Sequence, residues 1–139
     1  MIGEEVSIDE TGLFKYRVGY LADHRLDYID LWARRMLQHP KIGDLGLTAR
    51  QRRHIASIMW HREVARANDH LPSTRQQPPP LLGMDARNRP VVQQYDGNHL
   101  RQYALTKEGD GTDITEPVFS LNTGERVRIT DRANVKEQY

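Results

Sequence analysis

The sequence predicts an α+β protein, and three features of the chain carry that prediction. Apolar residues recur at helical spacing up to about residue 68, three consecutive prolines end at Pro80, and alternation with a period of two begins at Pro90. We therefore divide the chain into an acidic N-terminal arm (1–22), a two-helix unit (23–71), a proline-rich linker (72–89), two antiparallel β-hairpins (90–130) and a C-terminal tail (131–139).

The composition sets limits on the core and on the chemistry. The chain has 139 residues, of which 37% are hydrophobic, and the mean hydropathy is −0.75. We expect a small core with little margin over the entropy of ordering the chain. The absence of cysteine excludes disulfides, thiolate metal sites and cysteine nucleophiles. Because the sequence has neither an apolar run of membrane-spanning length nor the features of a signal peptide, we expect a soluble protein made in the cytoplasm.

Charge is distributed unevenly although the net charge is +1. Residues 1–30 hold seven acidic and three basic side chains, and residues 31–75 hold nine basic and three acidic ones. Residues 76–139 are almost balanced, with nine acidic and eight basic side chains. The pattern favours neutralisation of the basic helices by the acidic arm, within one molecule or between neighbours, over free affinity for nucleic acid.

The arm has weak strand character. Val6-Ser7-Ile8-Asp9 alternates briefly, Thr11-Gly12 is a turn signal, and Leu13 to Val18 has the composition of a short strand.

The first helix is predicted from Asp23 to Gln38. Asp23 is the expected N-cap, and acidic residues early and arginines late suit the helix dipole. The apolar stripe that we expect to be buried consists of Leu26, Ile29, Trp32, Ala33 and Met36. Pro40 ends the helix, and glycines mark the turn that follows.

The second helix is predicted from Thr48 to about Asn68. Thr48 is followed three residues later by Gln51, which is the capping-box pattern. The segment Leu47-Thr48-Ala49-Arg50-Gln51-Arg52 resembles the opening of the LuxR-type helix-turn-helix module. The resemblance covers about six residues, because no turn and recognition helix follow at the expected distance, and it assigns no family.

The linker and the hairpins are predicted from turn chemistry. Pro-Ser-Thr-Arg-Gln-Gln-Pro-Pro-Pro at 72–80 indicates an extended hinge, with a peptide for an SH3-like partner as the alternative. The first hairpin turns at Asp96-Gly97-Asn98, and the second at Asn122-Thr123-Gly124. A three-residue loop with Gly124 in the left-handed conformation would set Phe119 opposite Val127. Isolated hairpins are marginal in water, so they should pair with each other, the helices or another chain.

Catalytic and metal-binding patterns are not found, and we predict no enzyme activity and no cofactor. His54 and His61 are seven residues apart on the second helix, roughly 10 Å, which is too far to share one ion. Four acidic residues between Glu108 and Glu116 do not match the EF-hand spacing, so a solvated loop is expected and calcium binding is the alternative.

The arginine-rich face of the second helix is the candidate binding site. An arginine near a positive helix N-terminus can clamp phosphate, and Arg50, Arg53 and His54 lie at the start of this helix. The same face can instead pair with acidic protein groups. The candidate contacts with a partner or phosphate are Arg50, Arg52, Arg53, Arg62 and Arg66.

The sequence leaves two main functional hypotheses and a third that is close to the first. The first is a non-catalytic structural or adaptor subunit of a larger homo- or hetero-oligomeric assembly, with a bacteriophage virion as one setting. The alternative is a nucleic-acid-binding regulator that uses the second helix. A host-directed inhibitor acting by protein contact is a third hypothesis, which the sequence does not separate from the first.

Overall fold

The computed structural model describes residues 23–67, 79–96 and 99–129. Two α-helices precede a six-stranded antiparallel sheet, so the predicted α+β class is confirmed. The expectations for the arm, for residues 72–78 of the linker and for the tail lie outside the described residues.

The first helix, α1, spans Arg25–Arg35 and continues into a 3-10 turn at Met36–Gln38. A second 3-10 segment, Ile42–Leu45, leads towards the next helix. The N-cap is His24, which makes no capping side-chain hydrogen bond, so the prediction of Asp23 as the cap was wrong. The helix gains its stability from packing rather than from a capped start.

Helix α2 spans Ala49–Ala67 and begins with the predicted capping box. The Thr48 N–H donates to Gln51 Oε1 at 2.9 Å, and the Gln51 N–H donates to Thr48 Oγ1 at 3.1 Å. These two bonds satisfy donors that the first turn of a helix otherwise leaves open. The capping box is therefore confirmed at the level of individual atoms.

The main core lies between the two helices and one face of the sheet. Its buried members are Tyr28, Ile29, Trp32, Met36, Leu47, Ile55, Ala56, Ile58, Met59, Leu81, Val92, Tyr103 and Leu105. Leu26 was predicted in the buried stripe but is 61% exposed. Tyr28 enters the core instead. Leu26, two positions earlier, is rotated about 200° around the helix axis from Tyr28 and therefore points away from the core.

The strands are β1 (Leu81–Asp85), β2 (Pro90–Asp96), β3 (His99–Leu105), β4 (Gly111–Thr112), β5 (Val118–Ser120) and β6 (Arg126–Val127). Their order in the sheet is β4-β3-β2-β1-β5-β6. The pairings of β2 with β3 and of β5 with β6 confirm the two hairpins.

Strand β1 lies in the segment that the sequence analysis included in the linker. It joins the two hairpins into one sheet, because it pairs with β2 on one side and with β5 on the other. A bulge between Leu81 and Gly83 breaks its alternation, which removes the signal used to recognise strands. At Gly83 a Cβ would lie 2.1 Å from the Phe119 carbonyl oxygen, so only glycine permits this pairing.

The turn between β1 and β2 is closed by the buried carboxylate of Asp85. It accepts hydrogen bonds from the backbone N–H groups of Arg87 and Arg89, at 2.9 and 2.8 Å, and from Arg89 Nε at 2.7 Å. A buried carboxylate with three donors is satisfied without water, so Asp85 has a structural role.

The register of the second hairpin differs from the prediction by one residue. Val118 lies opposite Val127, and Phe119 lies opposite Arg126. Gly124 has the expected left-handed conformation, with φ at 71°. The loop is one residue longer than predicted, because Leu121 packs against the main core instead of pairing.

A second, smaller cluster lies on the face of the sheet opposite the helices. Its buried members are Val91, Ala104 and Val118, and Leu82, Ile114, Val127 and Ile129 pack around them. Successive residues of a strand point to opposite faces of the sheet. Val91 and Ala104, paired on β2 and β3, therefore lie in this cluster, and the next pair, Val92 and Tyr103, lies in the main core. The sheet thus separates two apolar clusters.

Candidate functional site

The structure places the five arginines predicted as contacts in different environments. Arg52 turns towards α1: its Nε donates to the Ala33 carbonyl at 3.1 Å, and its Nη1 donates to the Leu47 carbonyl at 2.7 Å. The side chain therefore links α2 to the end of α1. It is committed to the fold and is not presented to a partner.

Arg62 is buried between α2 and the sheet. Only 2% of it is exposed, and Nη2 donates to the Gln93 carbonyl of β2 at 3.4 Å. Burial lowers the pKa of its guanidinium to about 10, with further effects from Tyr95 and Arg66. A cation in this position cannot reach a phosphate on another molecule.

The other three candidates are exposed. Arg53 forms an ion pair with Asp30 of α1, and Arg66 pairs with Glu63 at 3.3 Å. Arg50 makes no ion pair with any residue in the described ranges. The five arginines consequently do not form one continuous basic surface.

The start of α2 is covered by the turn between β3 and β4. Thr48 Oγ1 donates to the Lys107 carbonyl at 2.8 Å, and Gln51 Nε2 donates to the Thr106 carbonyl at 3.0 Å. Gly109 lies so close that a Cβ there would be 3.0 Å from the Arg50 carbonyl oxygen. The β3–β4 turn therefore covers one side of the positive helix N-terminus, which weakens the predicted phosphate clamp.

His54, the third predicted member of that clamp, points into the molecule. Its Nδ1 is 2.9 Å from the Gly109 carbonyl oxygen, and its Nε2 is 2.7 Å from the Tyr103 hydroxyl. A carbonyl can only accept, so Nδ1 carries a proton. The Tyr103 hydroxyl donates its one proton to Gln94 Oε1 at 2.7 Å, so this hydroxyl joins His54 of α2 to Gln94 of β2. Burial lowers the pKa of His54, against an opposing effect of the Gly109 carbonyl, and so favours the neutral imidazole.

An open groove that the sequence analysis missed lies beside β6. Its volume is about 600 Å³. Its walls are the segment that enters β5 and the segment that leaves β6, namely Ile114, Thr115, Glu116, Pro117, Val118, Arg126, Val127, Arg128 and Ile129. Four of these residues, Ile114, Val118, Val127 and Ile129, also belong to the second cluster. The alternation in Arg126-Val127-Arg128-Ile129 predicts a strand. The polar loop gives no signal that Ile114 lines the groove.

The outer edge of β6 has no partner strand within the described residues. The Glu125 carbonyl accepts from the Ser120 N–H of β5 at 2.8 Å, so Glu125 directs its backbone groups inwards. In an antiparallel ladder the next residue directs its groups the other way. Arg126 therefore directs its backbone donor and acceptor outwards, and β6 has no second neighbour among the strands that the structure describes.

The described part of the chain has neither a cluster of metal ligands nor a membrane-spanning helix. No group of three or more histidine or acidic side chains there is arranged to hold a metal ion, and the carboxylate of Glu116 instead pairs with Arg87 at 3.2 Å. None of the described helices combines the length and the apolar character that crossing a membrane requires.

Comparison with known proteins identifies no relative. No protein-family model matches the chain, and neither a curated protein nor a solved structure matches it significantly.

Proposed function

We propose that this chain is a non-catalytic structural or adaptor subunit of a larger protein assembly, and that it acts through contacts with other subunits, including copies of itself. The groove beside β6 carries the proposal. It combines partly buried apolar walls with a strand edge that has no partner among the described strands, and these are the two features that β-strand addition requires. Main-chain hydrogen bonds along the edge supply affinity, and the apolar walls select the side chains of the partner.

Exposed apolar side chains elsewhere support the same proposal. Leu26 and Leu37, at the two ends of the first helical segment, are 61% and 55% exposed, and Phe119 of β5 is 42% exposed. Single exposed apolar residues are ordinary. Together with the groove they provide several places at which a subunit contact would remove apolar surface from water.

The alternative, a nucleic-acid-binding regulator, is less well supported by the contacts of α2. Phosphate binding needs cations that are free to approach the backbone of the nucleic acid. Arg52 and Arg62 are engaged within the fold, and Arg53 and Arg66 pair with carboxylates. Arg50 is left as the exposed cation near the helix start.

The setting that we propose is a bacteriophage particle, with synthesis in the cytoplasm. This part of the proposal rests on the character of the chain, which is small, free of cysteine, and rich in hairpins and charged terminal segments.

Size-exclusion chromatography with light scattering tests the proposed function against its alternative. We expect the full chain to form species heavier than the 16.1 kDa monomer as its concentration rises, with no change on addition of duplex DNA. A monomer that binds duplex DNA, with an affinity that falls steeply as salt increases, would contradict the proposed function and support the regulator.

A further inference from the structure

The edge of β6 has two chemically different sides. Val127 and Ile129 belong to the second apolar cluster, and Arg126 and Arg128 alternate with them along the chain and are exposed. A strand added to this edge would place its alternate side chains on the same two sides. The best complement is therefore a segment whose apolar residues alternate with acidic ones.

One segment of this chain has that pattern. Residues 4–10 read Glu-Glu-Val-Ser-Ile-Asp-Glu, with four acidic residues and no basic one. If Val6 and Ile8 lie beside Val127 and Ile129, then Glu5, Ser7 and Asp9 lie on the side of the two arginines. Opposite charges on neighbouring strands stabilise the pairing, and like charges oppose it.

We infer that residues 4–10 of one copy add as a strand to the β6 edge of a neighbouring copy, with Val6 and Ile8 in the groove. The inference rests on the proposed function and names the partner at that site. Such an exchange is head-to-tail: each copy donates one segment and accepts another, so repetition builds a ring or a filament.

The position of the groove favours a neighbour over the same chain. The arm leads into α1, which belongs to the helical layer on one face of the sheet, whereas the groove opens at the cluster on the opposite face. Residues 11–24 span at most about 50 Å when extended, which is long enough to bridge to an adjacent subunit.

The C-terminal tail is a weaker match for the same groove. It continues directly from Ile129, but residues 130–139 contain two acidic and two basic side chains. With no net charge and no alternation of apolar and acidic residues, it lacks the complementarity to Arg126 and Arg128 that residues 4–10 have.

A charge exchange on the full-length chain tests the inference. We expect R126E/R128E to weaken self-association at least about tenfold, because attraction across the added strand becomes repulsion. Adding E5R and D9R to that variant should restore the mass of the parent. R34E/K107E is the matched control, since it makes the same change of net charge at two exposed cations outside the groove. Circular dichroism verifies that each variant is folded.

Cross-linking then identifies the donor of the strand. Because the chain contains no cysteine, I8C and V127C can be introduced as the only thiols. We expect a disulfide between an I8C chain and a V127C chain of different tag length, and none when V127C is replaced by T123C in the β5–β6 turn. A disulfide formed within one chain carrying both substitutions, at high dilution, would overturn the inference.

The failures of the two proposals are distinguishable. If the parent assembles and R126E/R128E assembles equally well, the strand exchange is wrong and the proposed function stands. If the parent stays a monomer at every concentration, both are wrong.

Discussion

Arg52 and Arg53 are neighbours in the chain, and α2 turns them towards different surroundings. Arg52 donates to two backbone carbonyls that belong to the end of α1 and to the loop before α2. Arg53 forms an ion pair with Asp30, and both side chains of that pair are about half exposed. Hydrogen bonds from a charged group to enclosed acceptors contribute more to stability than an exposed ion pair does.

We expect Arg52→Met to lower the free energy of unfolding by about 2 kcal/mol, because two carbonyls lose a charged donor. Arg53→Met is the matched control and should cost less than about 1 kcal/mol. Urea denaturation of the two variants measures the difference. Equal losses would show that the contacts of Arg52 do not stabilise the helix pair.

His54 gives the fold a dependence on pH. The pKa of His54 lies below the ordinary value of 6.5 because the imidazole is buried. Asp110 raises this pKa and Arg101 lowers it, both by smaller amounts. The hydroxyl of Tyr103 keeps its proton, since burial raises the pKa of Tyr103. The unfolded chain therefore binds a proton more readily than the folded one. The stability that this difference contributes is complete above pH 6.5 and is lost as the pH falls towards the folded-state pKa.

We expect His54→Gln to flatten part of this pH dependence, measured by urea denaturation between about pH 8 and about pH 5. A remainder should persist, because burial also lowers the pKa of His61, with a smaller effect of Arg25 in the same direction. An imidazole of His54 that titrates at or above 6.5 by NMR would contradict the lowering of its pKa by burial.

At the scale of elements, the start of α2 and the β3–β4 turn stabilise each other. Gln51 accepts the capping hydrogen bond through Oε1 and donates to the carbonyls of Leu105 and Thr106 through Nε2. Glutamate would preserve the cap, since it is equally suited to the capping box, but it would remove the donor. The hydrogen bonds that Gln51 donates to the carbonyls of Leu105 and Thr106, and not the helix cap, therefore explain why this position is glutamine.

We expect Gln51→Glu to lower the free energy of unfolding by about 1–3 kcal/mol, because a carboxylate would face two carbonyl oxygens. Thr48→Ala removes the cap itself and should cost about 1–2 kcal/mol. Thermal unfolding with calorimetry measures both. If Gln51→Glu proved neutral, the bonds from α2 to the β3–β4 turn would carry no stability.

The register of the β5–β6 hairpin can be tested with two neighbouring residues. Val118 is fully buried, whereas Phe119 is 42% exposed. We expect Val118→Ala to cost about 2 kcal/mol through lost burial and the cavity left behind. Phe119→Ala should cost less than about 1 kcal/mol, although it removes the larger side chain. The opposite ranking in urea denaturation would favour the register predicted from the sequence.

The sequence predicted elements whose signal is local and failed where tertiary contacts decide. The capping box at Thr48 and the turn at Gly124 depend on nearby residues only, and both are confirmed. Strand β1 was missed because its bulge and Gly83 are explained only by the close approach of β5. The prediction of Arg52 and Arg62 as surface contacts is wrong because helical spacing does not reveal which neighbours lie over a polar side chain.

At the scale of the whole molecule, one sheet separates two apolar clusters of unequal size. The larger is closed by α1 and α2, and the smaller opens at the groove beside β6. A chain with 37% hydrophobic residues has little apolar surface to spare. Covering the smaller cluster through contact with another subunit would add burial that the chain alone does not provide, and this links the fold to the proposed function.

The most direct measurement is amide hydrogen exchange of the full chain across the concentration range in which its mass rises. We expect protection at residues 126–129 to increase with concentration, while amides in the centre of α2 exchange at a constant rate. Exchange at 126–129 that stays fast and independent of concentration, while the protein assembles, would show that the groove beside β6 is not a contact between subunits.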